Sequence, residues 1–169
     1  VEAYFSISNF GALIELDKAV YNWTDTVYIT ITSPDHNVNT AAEETIGTTS
    51  LPIQVSTRVG KMCTSSSTNG ATYQAAESGP DTGVFEAEVL LEGFDHTMSS
   101  DTAARDALGE LASTTCGSSD DDGIIRTSSQ TDGISVSYEY NDGVVVVASA
   151  SIVWSIGEAS FDSSAVSAG

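Results

Sequence analysis

Polar and apolar residues alternate along most of this chain, most clearly from Thr72 to Gly93, where TYQAAESGPDTGVFEAEVLLEG sets Phe85, Ala87, Val89 and Leu91 against Glu86, Glu88 and Glu92. A period of two is what a strand with one buried and one wet face requires, and only Leu90 breaks it. Ahead of that arm, Ser78-Gly79-Pro80-Asp81-Thr82-Gly83 combines a fixed φ at Pro80, an Asp able to bond its own backbone and two glycines free to take positive φ. The whole stretch therefore predicts a β-hairpin.

The same period recurs on both sides. Residues 1–10 place Val1, Ala3, Phe5 and Ile7 on one side, an amphipathic strand ended by Gly11. Asn22-Trp23-Thr24-Asp25 turns into a strand over Thr26 to Thr32, with Val27, Ile29 and Ile31 facing a core, and Ser33-Pro34-Asp35-His36-Asn37 stops it. The polar stretch to Ser50 reads as loop. Leu51 to Val59 alternates again, with Ile53, Val55, Thr57 and Val59 on one face and Pro52 pushing its start towards a sheet edge. A Ser/Thr-rich loop comes next. Between Ser99 and Ala112 the pattern changes: Ala104, Ala107, Leu108 and Leu111 fall at helical spacing, so at most one short helix is expected, near residues 101–112. After a short segment Ile124 to Ser128, Ile134 to Tyr140 and Val144 to Trp154 flank Asn141-Asp142-Gly143, the strongest hairpin turn signal in the chain. In the second of these arms Val144, Val146, Ala148, Ala150, Ile152 and Trp154 are expected to face inward. Six or seven strands joined by turns predict an all-β, two-layer antiparallel sandwich.

Length and charge narrow the field. The 169 residues suffice for one ordinary domain, and a formal net charge of −19 repels nucleic acid and anionic lipid headgroups while gathering cations. No apolar run is long enough to cross a bilayer as a helix, and a chain that starts at Val1 is expected to be a processed protein or an excised domain. Cys63 and Cys116 match no zinc or CxxC spacing. A disulfide between them is the economical reading, worth roughly 4 kcal/mol for a loop of about fifty residues, and two unrelated buried thiols are the alternative.

Candidate chemistry is sparse. His36 and His96 are the only near-neutral bases, and neither lies in a catalytic motif, so no enzyme is expected. Hard cations such as calcium want several oxygen ligands, and Asp120-Asp121-Asp122 before Gly123 is the densest supply; a solvated turn is the plainer reading. Asp35, Asp132 and Asp142 are weaker metal candidates, and Glu86 with Glu88 reads first as a wet face. Asn22-Trp23-Thr24 is the sole N-x-[ST] sequon, which marks Asn22 for a glycan, although Trp in its middle position is a poor acceptor context.

Three blocks carry a family resemblance: LIELDKAVYNWTDTVYITITSPDHN, TYQAAESGPDTGVFEAEVLLEGF and DGISVSYEYNDGVVVVASASIVWSIGEASF. Their order, and the pairing of D-K-x-V-Y-x-W-T-D-x-V-Y-I with E-x-G-x-D-T-G-V-F, resemble the immunoglobulin-like modules of surface-layer proteins from ammonia-oxidising archaea. The resemblance covers roughly half the chain. It implies an extracellular, cell-surface Ig-like sandwich over residues 11–156, with residues 1–10 as an N-terminal strand and 157–169 as a tail or linker. It also implies a structural subunit of a surface layer or filament, whose partners are copies of itself or related modules; the net charge of −19 adds divalent cations as expected partners. Family members are long multi-module chains and this one is short. Val1, Ala3, Phe5 and Ile7 are candidate plugs of a strand donated to a neighbour, the alternative being the first strand of their own sandwich, and the tail anchored by Ala159 and Phe161 is a second donor candidate. The rival reading is a ligand- or carbohydrate-binding module that uses Tyr4, Tyr28 or Trp23.

Overall fold

The computed structural model describes residues 11–48, 50–66, 72–93, 123–128 and 131–153. In chain order the described strands are β1 (Leu13–Leu16), β2 (Val20–Asn22), β3 (Thr26–Thr32), β4 (Thr45–Ile46), β5 (Ile53–Ser56), β6 (Lys61–Cys63), β7 (Ser65–Ser66) and β8 (Thr72–Tyr73). They continue with β9 (Ala75–Glu77), β10 (Val84–Gly93), β11 (Ile124–Arg126), β12 (Asp132–Asn141) and β13 (Val144–Val153). A 3-10 turn, Pro34–His36, stops β3 where Pro34 removes a ladder donor. The expected helix near residues 101–112 lies outside the described residues.

Two sheets form the layers. The first runs β1-β3-β10-β9-β4, with β11 also on β10, and the second runs β2-β13-β12-β5-β6. The segments β1-β3-β10-β9 and β13-β12-β5 reproduce the two sheets of an immunoglobulin-like sandwich, four strands against three, with β1 and β2 dividing the first described stretch of chain between both layers. The hairpin of β9 and β10 aligns Phe85 with Glu77, and that of β12 and β13 aligns Ser137 with Val147 across the Asn141-Asp142-Gly143 turn.

The core lies between the layers, where alternation drives one side of each strand inward. Ile29, Ile31, Phe85, Val89 and Leu91 come from the first sheet and Val55, Ile134, Val136, Tyr138 and Ile152 from the second, each at most 1% exposed. Each such side chain contributes about 1.5–3 kcal/mol by leaving water.

The chain is an all-β, largely antiparallel sandwich as expected, with β11 on β10 and β2 on β13 as parallel pairs within it. Four expectations need correction. The polar stretch to Ser50 contains β4 and the Ser/Thr-rich loop after Val59 contains β6 and β7, each held by a ladder to a neighbour and with little alternation of its own, while β8, at the start of the expected hairpin arm, pairs with β7 in a separate two-stranded sheet. Pro52 does not bring β5 to an edge, since β5 lies between β12 and β6; Pro52 stands just ahead of the strand, where its missing N–H is not needed. Thr57 and Val59 do not extend β5, because Thr57 turns the chain, its N–H donating to the Gly60 carbonyl at 2.9 Å. Val144 is 43% exposed, because a register shift between Glu139 and Asn141 sets it opposite Asn141 at the hairpin end.

Candidate functional site

Between Leu16 and Val20 the chain steps from one sheet to the other, and the residues of the step hold it in place. Asp17 donates its own N–H to the Tyr28 carbonyl at 3.2 Å, while its Oδ1 accepts from the Tyr21 hydroxyl at 2.6 Å and from the Tyr28 N–H at 2.9 Å. The Tyr21 oxygen in turn accepts from the Lys18 N–H at 3.2 Å. Burial opposes ionisation of Asp17, but the Tyr21 hydroxyl, the Tyr28 amide and the Lys18 charge outweigh it and hold this carboxyl below its usual range. Tyr21 moves the other way: burial, reinforced by the bond to Asp17, pushes its hydroxyl up to about 12.

The following turn is closed by a second carboxylate. Asp25 Oδ2 accepts from the Asn22 N–H at 3.1 Å and from Lys18 Nζ at 3.1 Å, and these two donors, the amide first, lower its pKa. Lys18 Nζ also lies 5.4 Å from the centre of the Tyr21 ring. The ion pair itself is exposed and adds little. Trp23 packs on Gly93, so closely that a Cβ added there would come within 2.6 Å of its ring.

At the opposite end of the first sheet, Glu77 latches the β9–β10 turn. Its Oε1 accepts from the N–H groups of Gly83 at 2.7 Å and Thr82 at 2.8 Å, and its Oε2 from the Glu44 N–H at 3.2 Å. The Gly83 amide is the largest influence, followed by burial acting against it, and the net result is a carboxyl held below its usual value. Gly83 at φ 63° and Asp81 at φ 64° supply the left-handed residues that the turn needs. The two motifs that carry the family resemblance are therefore the two staples of the sandwich: Asp17, Lys18, Tyr21, Trp23, Asp25 and Tyr28 at the crossover, and Glu77 through Gly83 at the hairpin. The sequence singled out these stretches but missed the carboxylates that organise them. The available signal was an acidic residue four positions before Tyr21 and another directly before the Ser-Gly-Pro-Asp-Thr-Gly turn.

Residues named as chemical candidates are scattered. Asp132 is buried, only 8% exposed, its Oδ1 accepting from the Arg58 and Gly133 N–H groups at 2.9 and 2.8 Å and its Oδ2 from the Ser128 N–H at 2.7 Å. It is a loop clasp with its oxygens already engaged. Asp35 sits exposed in the 3-10 turn and Asp142 at the tip of the last hairpin, on different elements. Among the described residues no group of three potential metal ligands converges. Asp120, Asp121, Asp122, Cys116, His96, Val1, Ala3, Phe5, Ile7, Tyr4, Ala159 and Phe161 lie outside the described residues. Cys63 ends β6 at 1% exposure, and no described cysteine is free. His36 Nδ1 lies 2.8 Å from Ser33 Oγ and its Nε2 3.4 Å from the Tyr138 hydroxyl. Ser33 is 0% exposed, so this pair ties the 3-10 turn to β12 and offers no nucleophile to a substrate.

Asn22 is exposed at the end of β2, and its side chain takes part in the hydrogen bonding of Asp25. Trp23 is half-buried against Gly93, which removes it from the exposed aromatics. Tyr28 is 53% exposed on the outer side of the first sheet, directly opposite Glu88, beside a shallow groove of about 350 Å³ lined also by Thr30 and Glu86. Glu15, Glu86, Glu88 and Glu92 give this outer side a row of carboxylates, relieved where Arg126 pairs with Glu92 at 3.2 Å. No described helix is long and apolar enough to cross a membrane. Comparison with protein-family models and with curated proteins found no match.

Proposed function

We propose that this chain is a structural subunit of an extracellular assembly at a cell surface, a surface layer or a filament, and that it catalyses no reaction. The observation that carries the reading is the use made of the two resembling motifs: both brace the fold, one at the crossover between the sheets and one at the β9–β10 turn, in an Ig-like sandwich whose first sheet is lined with carboxylates on its outer side. Such a body bears load and attracts cations. Subunits of charge −19 must be screened wherever they pack closely, and divalent ions such as calcium, with Asp120, Asp121 and Asp122 as candidate ligands, would do so. The Cys63–Cys116 disulfide and a glycan on Asn22 belong to the same extracellular reading.

Polymerisation would use Val1, Ala3, Phe5 and Ile7 as the plugs of a strand donated to a neighbour. Native material should appear as a lattice or filament in the electron microscope, and chelator at constant ionic strength should loosen it. Deleting residues 1–8 should leave a stable monomer that no longer polymerises; loss of the monomer's fold would instead make these residues its own first strand. The exposed Tyr28 and its groove support a second reading, a carbohydrate-binding module. A persistent monomer retained on a glycan array, with retention abolished by Tyr28→Ala, would favour it.

A further inference from the structure

The two outer sides of the sandwich are chemically unlike. On the first sheet the outward positions include Glu15, Glu86, Glu88 and Glu92. On the second, β13 presents Val145, Val147, Ser149, Ser151 and Val153, while β12 presents Gly133, Ser135, Ser137 and Glu139 and β5 presents Gln54 and Ser56. Glu139 is the only outward carboxylate on these three strands. In a chain with 24 acidic residues, this is where a second copy can approach without burying a row of like charges.

Its relief is also self-complementary. Val145 and Val147, 50% and 63% exposed, form a ridge along β13. Immediately beside it the small Ser135 and Ser137 of β12 form a valley, and Val147 is the direct partner of Ser137 as Val145 is of Glu139. A two-fold axis running along the strands, between β12 and β13 and in the plane separating two apposed faces, lays each ridge in the other's valley. We propose that the outer side of the second sheet is an isologous contact through which two copies of this chain pair back to back, a joint separate from any strand donation.

The area sets the strength. Ten-residue strands about 33 Å long at spacings of about 4.8 Å give, over β13, β12 and the shorter β2 and β5, roughly 430 Å² per copy. That is below the about 800 Å² per partner of a standard stable interface. The pair is therefore weak in dilute solution and becomes populated where copies are concentrated. The same axis brings the two Glu139 side chains to one end of the contact, where they repel.

Sedimentation of the purified chain at rising concentration tests this, because the predicted effects differ in sign. Salt should tighten the pair by screening charge. Glu139→Gln, which keeps an acceptor for the Gly143 N–H that Glu139 Oε1 now receives at 3.0 Å, should tighten it several-fold. Val147→Glu should weaken it at least tenfold while leaving the melting temperature nearly unchanged. In mixtures of single variants, a short bis-maleimide should link Val147→Cys to Ser137→Cys across the pair and should not link Val147→Cys to Glu88→Cys on the other sheet. A chain that stays monomeric at several hundred micromolar in high salt, or a Val147→Glu variant that associates like the parent, overturns the proposal. So does cross-linking of Val147→Cys to Glu88→Cys in preference to Ser137→Cys, which would mean head-to-tail stacking. A lattice or filament that survives Val147→Glu would remove this contact and leave the structural role standing.

Discussion

Replacing Tyr21 by Phe keeps the buried ring and deletes one oxygen, which isolates the crossover staple from packing. That oxygen donates to the Asp17 carboxylate at 2.6 Å and accepts from the Lys18 N–H at 3.2 Å, on a residue that is 0% exposed. A hydrogen bond to a charged group contributes about 1.5–3 kcal/mol, so a loss of about 2 kcal/mol is expected at pH 8. In a chain of this size that lowers the melting temperature by roughly 4–8 °C. The pH dependence is the sharper signature. The folded state raises the Tyr21 hydroxyl from its ordinary value near 10 to about 12, so it holds this proton more tightly than the unfolded chain does. The stabilisation is therefore complete below pH 10 and disappears as pH climbs through 12, with an upper bound of about 2.7 kcal/mol for two units. Tyr138, raised by burial to about 12 as well, adds a parallel alkaline loss that the variant retains. Denaturant titrations at pH 8 and at intervals up to 12 should show the parent and Tyr21→Phe converging. A difference below about 0.5 kcal/mol at pH 8, or one that does not change by pH 11.5, would refute the reasoning.

Three further outcomes are expected. Gly93→Ala should cost roughly 2–3 kcal/mol and shift the tryptophan fluorescence, because Gly93 has φ 83° and the new Cβ would meet the Trp23 ring at 2.6 Å. Glu77→Gln should lower the melting temperature and flatten its acid limb: the folded Glu77 carboxyl is depressed, so its contribution is present above its ordinary range near 4.5 and is lost as pH falls through the folded value. The check is calorimetry from pH 7 to 3, with limited proteolysis at the turn. Phe85→Ala, emptying a 0% exposed site in β10, should cost about 3–5 kcal/mol in a denaturant titration.

Strands with strong alternation were legible in the sequence because burial of one face dictates the spacing of their residues. Val27, Ile29 and Ile31 fell inside as expected, as did Phe85, Val89 and Leu91, and Ile134, Val136 and Tyr138. Strands of two or three residues were not, since Thr45–Ile46 and Lys61–Cys63 exist only because a neighbouring ladder supplies their partners. The parallel placement of β2 and β11 was hidden for the same reason, pairing direction being a property of the whole sandwich. Among site residues, the roles of Asp17, Glu77 and Asp132 depend on backbone N–H groups brought in by folding, Tyr28 for Asp17 and Arg58 for Asp132, 11 and 74 residues away. An acidic side chain in a turn looks the same in sequence whether it binds an ion or clasps the loop.

The division of β1 and β2 between two sheets decides how the body answers tension. β2 runs parallel to β13 over Val20–Asn22 and Ser151–Val153, so a pull that draws the chain before β2 away from the chain after β13 slides the two strands past one another. Every rung between them is loaded at once, together with the Tyr21–Asp17–Tyr28 bonds beside them. An antiparallel hairpin pulled from its open end would surrender its rungs singly, as a zip does. The β2–β13 joint behaves instead as a lap splice, whose resistance grows with the length of the overlap, and lengthening β2 by even a single residue pair would be the direct way for such a module to become stronger without altering its core.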